Sequence, residues 1–466
     1  MTDTFNVIDE KWIPVTLLDG TCSELSLSEV FEKAHKVRTL AGEMPTQDAS
    51  TLRFLLAVTY AVVLRQGENG EQGPVLDKAD AIDRWEGYWT RGSFDAKVFS
   101  EYLEKYRDRF DLFGEDRPFY QYNIPKGTEY AAKKLVGDLD ESGNKVQMFS
   151  YLSGAEKDRI SPAEATRWLI HLIGYDDKSL KPVNKVPGGP KLDSSKIGWL
   201  GSLGLVNLRG QNLFETIMLN LVLTDRYGEP YLEGKAVWEL DVPILTERRS
   251  IPIPRNPLEL LTVPSRRVKL LASDGMVTGY IEYVGDMFFE SCSSVEHMTM
   301  WEQNKEKDWV PMTPGDPSKA LWRDYSSLLV KGMDRMEPGV IWWYSELAER
   351  GVVPKGGATI CLTGVNYDKH QSSKVSVFND SMSVNSSLLS SLGEDWNNRI
   401  SGLLTITEKC SKNMRSFVKG ILIACGEDQK SPTFWDKVDS YMAPLYPALD
   451  MPFRSWLASI DPEVSD

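Results

Sequence analysis

Basic residues are in deficit: 53 Lys and Arg stand against 67 Asp and Glu, which leaves the 466-residue chain at −14. That balance excludes a protein that coats nucleic acid through bulk charge, though it leaves room for a local site on an acidic body. Cysteine is scarce: Cys22, Cys292, Cys361, Cys410 and Cys425 are five in number, and no two have the CxxC spacing. Neither a disulfide framework nor a zinc site is expected, and reduced thiols are the plain reading. The four histidines, His35, His171, His297 and His370, lie far apart with no metal-ligand spacing, so no metal and no cofactor is predicted. Long apolar runs are missing: the stretch 54–64 is interrupted by Thr59 and Tyr60 and is too short to span a bilayer. Met1-Thr2-Asp3-Thr4-Phe5 carries neither a basic n-region nor an apolar h-region. The expectation is a cytoplasmic protein.

What is present is a globular composition. Hydrophobic residues make up 41%, with 14 Trp, 16 Phe and 18 Tyr to build a core, which rules out disorder and fibrous repeats. The length suggests two or three units of about 100–200 residues. Residues 5–9 and 12–15 read as strands before the Asp19-Gly20 turn. Ser26 with Glu29 forms a capping box. Residues 51–65 predict a buried helix, and a second helical stretch spans 94–110. Ser161-Pro162-Ala163-Glu164 is a helix start with N-cap, Pro at N1 and Glu at N3. A long Pro- and Gly-rich loop follows over 176–198, and loops of that length are functional or disordered. Residues 212–223 read as helix and 276–284 as the clearest strand; helical periodicity returns at 318–330 and 341–350. After about residue 376 the pattern is helical, at 388–404, 409–425 and 434–446, so a domain boundary falls there.

Catalytic signatures are absent. There is no GxxxxGK[ST] and no HExxH. His171 reads as a packed or capping residue, and Gly201-Ser202-Leu203-Gly204 as a turn, because Leu200 stands where a nucleophile elbow needs glycine. Asp176-Asp177 reads as a solvated pair with no acid–base tuning. Nucleic-acid signals are local. Arg266-Arg267-Val268-Lys269, Lys133-Lys134 and Arg248-Arg249 are basic clusters whose plain alternative is a solvated charge run. Pro187-Gly188-Gly189-Pro190-Lys191 lets a backbone approach a groove closely, unless it is an ordinary turn. The polar loop 364–374, with Lys369, Gln371 and Lys374, is suited to insertion between bases; a polar interdomain loop is the alternative.

Four stretches in this order resemble the CasA family, the large subunit of the type I-E CRISPR surveillance complex Cascade. They are residues 5–15 (FNVIDEKWIPV), Arg117-Pro118-Phe119-Tyr120-Gln121, residues 161–169 (SPAEATRWL), and residues 210–216 (GQNLFET) running into Leu219-Asn220-Leu221. The resemblance implies an α+β fold: a large mixed α/β N-terminal domain over 1–375, then a C-terminal helical bundle of four-helix type over 376–466. The three helices read above leave the last bundle helix missing or short.

It also implies a non-catalytic, antiviral function. Such a subunit recognises the protospacer-adjacent motif (PAM), helps to open the duplex and docks the nuclease-helicase. The implied partners are the other Cascade subunits and guide RNA, double-stranded target DNA and the CRISPR nuclease-helicase; a purely structural assembly subunit is the alternative. By resemblance, Gln371 matches the family's wedge glutamine, and Gly188 and Gly189 its glycine-rich PAM loop. Phe149, Ser150 and Tyr151 match the loop that touches the guide end. The CxxC pairs of some members are absent here, and no lysine occupies 280–284, where the family has a groove-reading one. Arg266, Arg267 or Lys269 is the expected substitute.

Overall fold

The helix Pro45–Val63 is the axis of the molecule: all but two of its residues are buried. The computed structural model describes residues 4–462 except 69, 124–126, 138–153, 180–195, 242–252, 288–291, 314–319, 330–333 and 354–356. The axial helix starts six residues before the expected position, at Pro45. Its first turn is polar, which hides it from a hydrophobic pattern, yet the fold buries and pairs those side chains. Thr46 Oγ1 lies 3.0 Å from His171 Nε2, and Ser50 donates to the Gln47 carbonyl. One turn on, Arg53 meets Glu296 in a buried two-pronged ion pair at 2.9 and 2.8 Å. Glu296 also accepts from Trp199 Nε1. Helices Pro162–Tyr175 and Pro257–Leu261 pack on this axis.

Among the described residues there are four three-stranded sheets, and the axial helix packs on the one that holds Gly357–Tyr367. Ile13–Leu17 is central between Cys22–Leu25 and Val37–Leu40. Met276–Val284, the strand read from sequence, lies between Glu129–Ala131 and Arg266–Ser273. Gly357–Tyr367 pairs with Leu205–Arg209 on one side and with Lys374–Asn385 on the other. Trp301–Gln303 joins Trp309–Pro311 and Arg335–Met336.

The local signals fare unevenly. The capping box is fully made, Glu29 N–H to Ser26 Oγ at 3.2 Å and Ser26 N–H to Glu29 Oε2 at 3.0 Å. Ser161 caps its helix through the Glu164 N–H. Residues 5–9 are not a strand: Asn6 makes a single bridge to Asp111 and the chain then turns. The helix Lys78–Arg91 had no counterpart in the sequence reading, although Trp85 is fully buried on its inner face and donates to the Met218 carbonyl.

The expected boundary at 375/376 falls inside the strand Lys374–Asn385, so the helical region begins later, at Glu394. There the two readings 388–404 and 409–425 merge into one 31-residue helix, Glu394–Ala424, followed by Phe434–Met442 and Leu445–Ser459. Among the described residues this region holds three helices. Arg454 ties it to the body, donating to Asp380 Oδ2 at 2.7 Å, while Asp450 Oδ1 of its own helix accepts from it at 2.8 Å. Trp322 stacks on Phe453 with ring centres 4.6 Å apart. No helix among the described residues is long and apolar enough to cross a membrane.

Two buried histidines make stability pH-dependent. Burial, with Lys374 adding to it, holds His171 well below the usual imidazole range. Burial and the guanidinium groups of Arg226 and Arg53 push His297 down to about 3. Both stay neutral in the fold, while the unfolded chain takes up protons near pH 6.5. Their contribution is therefore complete above about 6.5 and is lost as pH falls toward the folded values. For His297 a loss of about 2 kcal/mol at pH 5 follows from the linkage relation. The urea midpoint should drop between pH 7.5 and 5, and His297→Gln should shrink that drop.

Candidate nucleic-acid interface

The long hairpin of Gly357–Tyr367 and Lys374–Asn385 keeps pairing to Tyr367 opposite Lys374, after a register shift at Asn366. Six residues remain to turn the chain, and Asp368 organises them. Its Oδ1 accepts the N–H of Ser372 at 2.6 Å and of Ser373 at 2.8 Å, and its Oδ2 that of His370 at 3.3 Å. Slight burial opposes ionisation, but these N–H groups outweigh it and hold the Asp368 carboxyl below the usual range. Gln371 N–H closes the turn on the Asp368 carbonyl at 2.8 Å. The result places Gln371 at the tip, exposed, with φ +57°. A non-glycine residue in that region is uncommon and worth a functional question. Lys369 and His370 beside it are exposed too, and Lys374 is half-buried.

The tip is held to the segment that precedes the glycine-rich loop. Lys178 N–H donates to the Gln371 carbonyl at 2.7 Å, and the Tyr367 hydroxyl donates to the Tyr175 carbonyl at 2.7 Å. Gly188 and Gly189 lie outside the described residues, but both ends of their segment are visible, and one guanidinium gathers them. Arg266 donates from Nε to Asp176 Oδ2 at 2.5 Å, and from Nη2 to the carbonyls of Asp177 and Lys196 at 2.8 Å each. Glu282 lies 3.3 Å from the same Nε. Gly198 N–H donates to the Asp176 carbonyl at 2.9 Å. A Cβ on Gly198 would sit 2.3 Å from the Gly174 carbonyl oxygen, so only glycine closes this neck.

Arg266 and Arg267 are therefore corrected as groove readers. Arg266 is 0% and Arg267 1% exposed, because the strand begins inside the molecule and both of its faces are covered there. Arg267 pairs with Asp286 at 2.8 Å and lies over the Tyr122 ring. Lys269, half-buried, stands opposite Ile281 on the same face as Arg267. Asp176 and Asp177 are likewise not a solvated pair; they are 6% and 3% exposed. Phe149, Ser150 and Tyr151 lie outside the described residues. Their segment leaves from Gly137, which packs against His171 and Trp168 of the helix Pro162–Tyr175, the same helix that runs into Asp176. That helix contacts the described residues from which both segments leave, Gly137 and Asp176. His171 is buried on it, in line with the packed reading.

Sequence reasoning missed Lys178 and Lys196, which join Lys369 and Lys374 around the tip and the loop neck. Among them lie Asp176, paired with Arg266, and Asp368, whose charge the backbone N–H groups of the turn stabilise. Ser202 donates to the Trp199 carbonyl within a short 3₁₀ turn, which is the geometry of a turn and not of a nucleophile elbow. Among the described residues no group of three or more His, Cys, Asp or Glu is placed to hold a metal ion.

The sequence model of the family described as CRISPR-associated protein Cse1 matches residues 6–465. The CRISPR-associated protein CasA/Cse1 of Thermus thermophilus is 27% identical over 338 residues, which is 70% of this chain and 60% of that protein's length. The crystal structure of Thermobifida fusca Cse1 superposes with a TM-score of 0.82 at 26% identity, over 99% of this chain and 88% of that one. A chain of a CRISPR RNA-guided surveillance complex shares the fold, with a TM-score of 0.70 at 20% identity over 96% of this chain and 88% of that one.

Proposed function

Since the chain belongs to the CRISPR-associated Cse1 (CasA) family, we propose that it is the non-catalytic DNA-recognition subunit of a type I-E surveillance complex. In this reading the 180–195 segment, through Gly188 and Gly189, meets the PAM. Gln371 enters between the first base pairs beside it. Lys369 and Lys374, with Lys269 further off, meet phosphates. Phe149, Ser150 and Tyr151 meet the guide end, and the assembled complex supplies most of the electrostatic attraction. The observation that carries the reading is the placement of Gln371. It is an exposed amide at the tip of a long hairpin, its backbone fixed by Asp368 and joined through Lys178 to the neck of the glycine-rich segment.

Docking of a nuclease-helicase and contacts with the other subunits belong to the same proposal. A second reading, an assembly subunit without DNA contact, is favoured by one observation: Leu403, Ile406, Phe417 and Ile421 are 45–67% exposed along the helix Glu394–Ala424. Gly188→Asp and Gly189→Asp separate the two. A carboxylate against a phosphate groove should weaken PAM-dependent binding of the reconstituted complex by roughly tenfold or more while assembly is unchanged. Loss of assembly with retained PAM dependence would favour the second reading.

A further inference from the structure

The stretch Arg117-Pro118-Phe119-Tyr120-Gln121 takes no part in the hairpin site, and its five residues do different things. Phe119 is fully buried and stacks on Phe110 with ring centres 5.6 Å apart. Gln121, also buried, is a bolt: its Nε2 donates to the Leu112 carbonyl and its Oε1 accepts the Leu270 N–H, each at 2.7 Å. Between these two anchors Tyr120 is held at φ +53°, a region that a bulky side chain rarely enters. Strain of this kind collects at ligand sites and persists where the surroundings over-determine it.

Beside Tyr120 a cavity of about 210 Å³ opens, lined among others by Arg109, Arg117, Phe119, Tyr120, Asn123 and Trp238. Its floor is aromatic. The Trp238 ring is oriented by a 2.8 Å hydrogen bond from its Nε1 to the Tyr102 hydroxyl and crosses Tyr120 at 5.9 Å. Its rim carries two guanidinium groups and one carboxylate. Arg117 donates from Nη1 to the Leu240 carbonyl at 2.5 Å, and among the described residues no carboxylate pairs with it. Arg109 lies 2.9 Å from its exposed neighbour Asp108 without a hydrogen bond from Nε. Asp116 also reaches the rim, where it makes no ion pair with either arginine. The cavity is smaller than the roughly 300–1,000 Å³ of sites that enclose a whole small molecule, so it suits one ring system.

We propose that this cavity takes one unstacked base of a single-stranded nucleic acid, with the base against Tyr120 and Trp238 and its phosphate on Arg117 and Arg109. Aromatic faces bind any base by stacking, and guanidinium groups fit phosphate in two-pronged geometry. The site is separate from the hairpin tip and does not depend on the reading of Gln371.

The test uses the full chain with a fluorescein-labelled RNA hexanucleotide at low salt, and a 4-thiouridine version for crosslinking. Arg117→Ala should weaken binding about tenfold, as expected when a base-stacking and phosphate contact is lost. Val237→Trp, which fills the cavity, should abolish crosslinks to residues 117–123 and Trp238, while Leu76→Ala at an exposed position outside both sites leaves both readouts unchanged. Crosslinks confined to other residues, or equal affinity in wild type and both cavity variants, would overturn the proposal. Displacement of the hexanucleotide by equimolar free mononucleotide would overturn the single-strand assignment.

Discussion

Arg266→Met should lower the unfolding free energy by about 3–5 kcal/mol, the range found when one partner of a buried ion pair is removed. The guanidinium is fully buried between Asp176 and Glu282. Burial alone would lower its pKa, yet Asp176 and then Glu282 raise it above the ordinary value, so the cation is held charged in the fold. Methionine fills the volume but takes that cation away from both carboxylates and releases the carbonyls of Asp177 and Lys196. A urea titration reads the loss, and adding Glu282→Gln to Arg266→Met should recover part of it. The same variant should reduce PAM-dependent binding beyond what its stability predicts, because the neck of the 180–195 segment is no longer gathered. A change below about 0.5 kcal/mol, the range of ordinary surface substitutions, would mean that Arg266 is not the staple described.

The second large effect is at Gln371. Gln371→Ala should leave assembly intact and slow strand opening beside the PAM roughly tenfold, which corresponds to about 1.4 kcal/mol of lost help with an unstacking step that costs a few kcal/mol. Alanine also strains the left-handed position that Gln371 occupies, so the informative companion is Gln371→Gly. Glycine accepts φ +57° without penalty and relaxes the turn. If the side chain is the wedge, both variants lose opening alike. If only the backbone of the tip matters, Gln371→Gly opens DNA as well as the wild type.

The sequence reading succeeded where a signal is local. The capping box at Ser26, the start at Ser161 and the strand Met276–Val284 each follow from chemistry within a few residues. It failed where tertiary partners decide. The polar first turn of Pro45–Val63 is helical because His171 and neighbouring side chains receive it, and Lys78–Arg91 is fixed by a tryptophan reaching the Met218 carbonyl. The strand Lys374–Asn385 does carry alternation, with Phe378, Met382 and Val384 buried on one face. The boundary expected near residue 376 cuts through it because the helical pattern just beyond it is stronger. At the site, the polar composition of 364–374 shows an exposed loop, whereas the burial of Arg266 leaves no mark in the sequence. A basic pair on paper gives no sign that a strand begins inside the molecule, or that Asp176 lies 90 residues away and in contact.

The central claim is that this chain opens DNA next to the PAM, and 2-aminopurine fluorescence at the first base pair beside the PAM tests it most directly. Surveillance complexes reconstituted with and without the chain would be mixed with duplexes that carry or lack the PAM. The account predicts a fluorescence rise only when both chain and PAM are present. An equal rise in complexes lacking the chain, or on duplexes lacking the PAM, would contradict it.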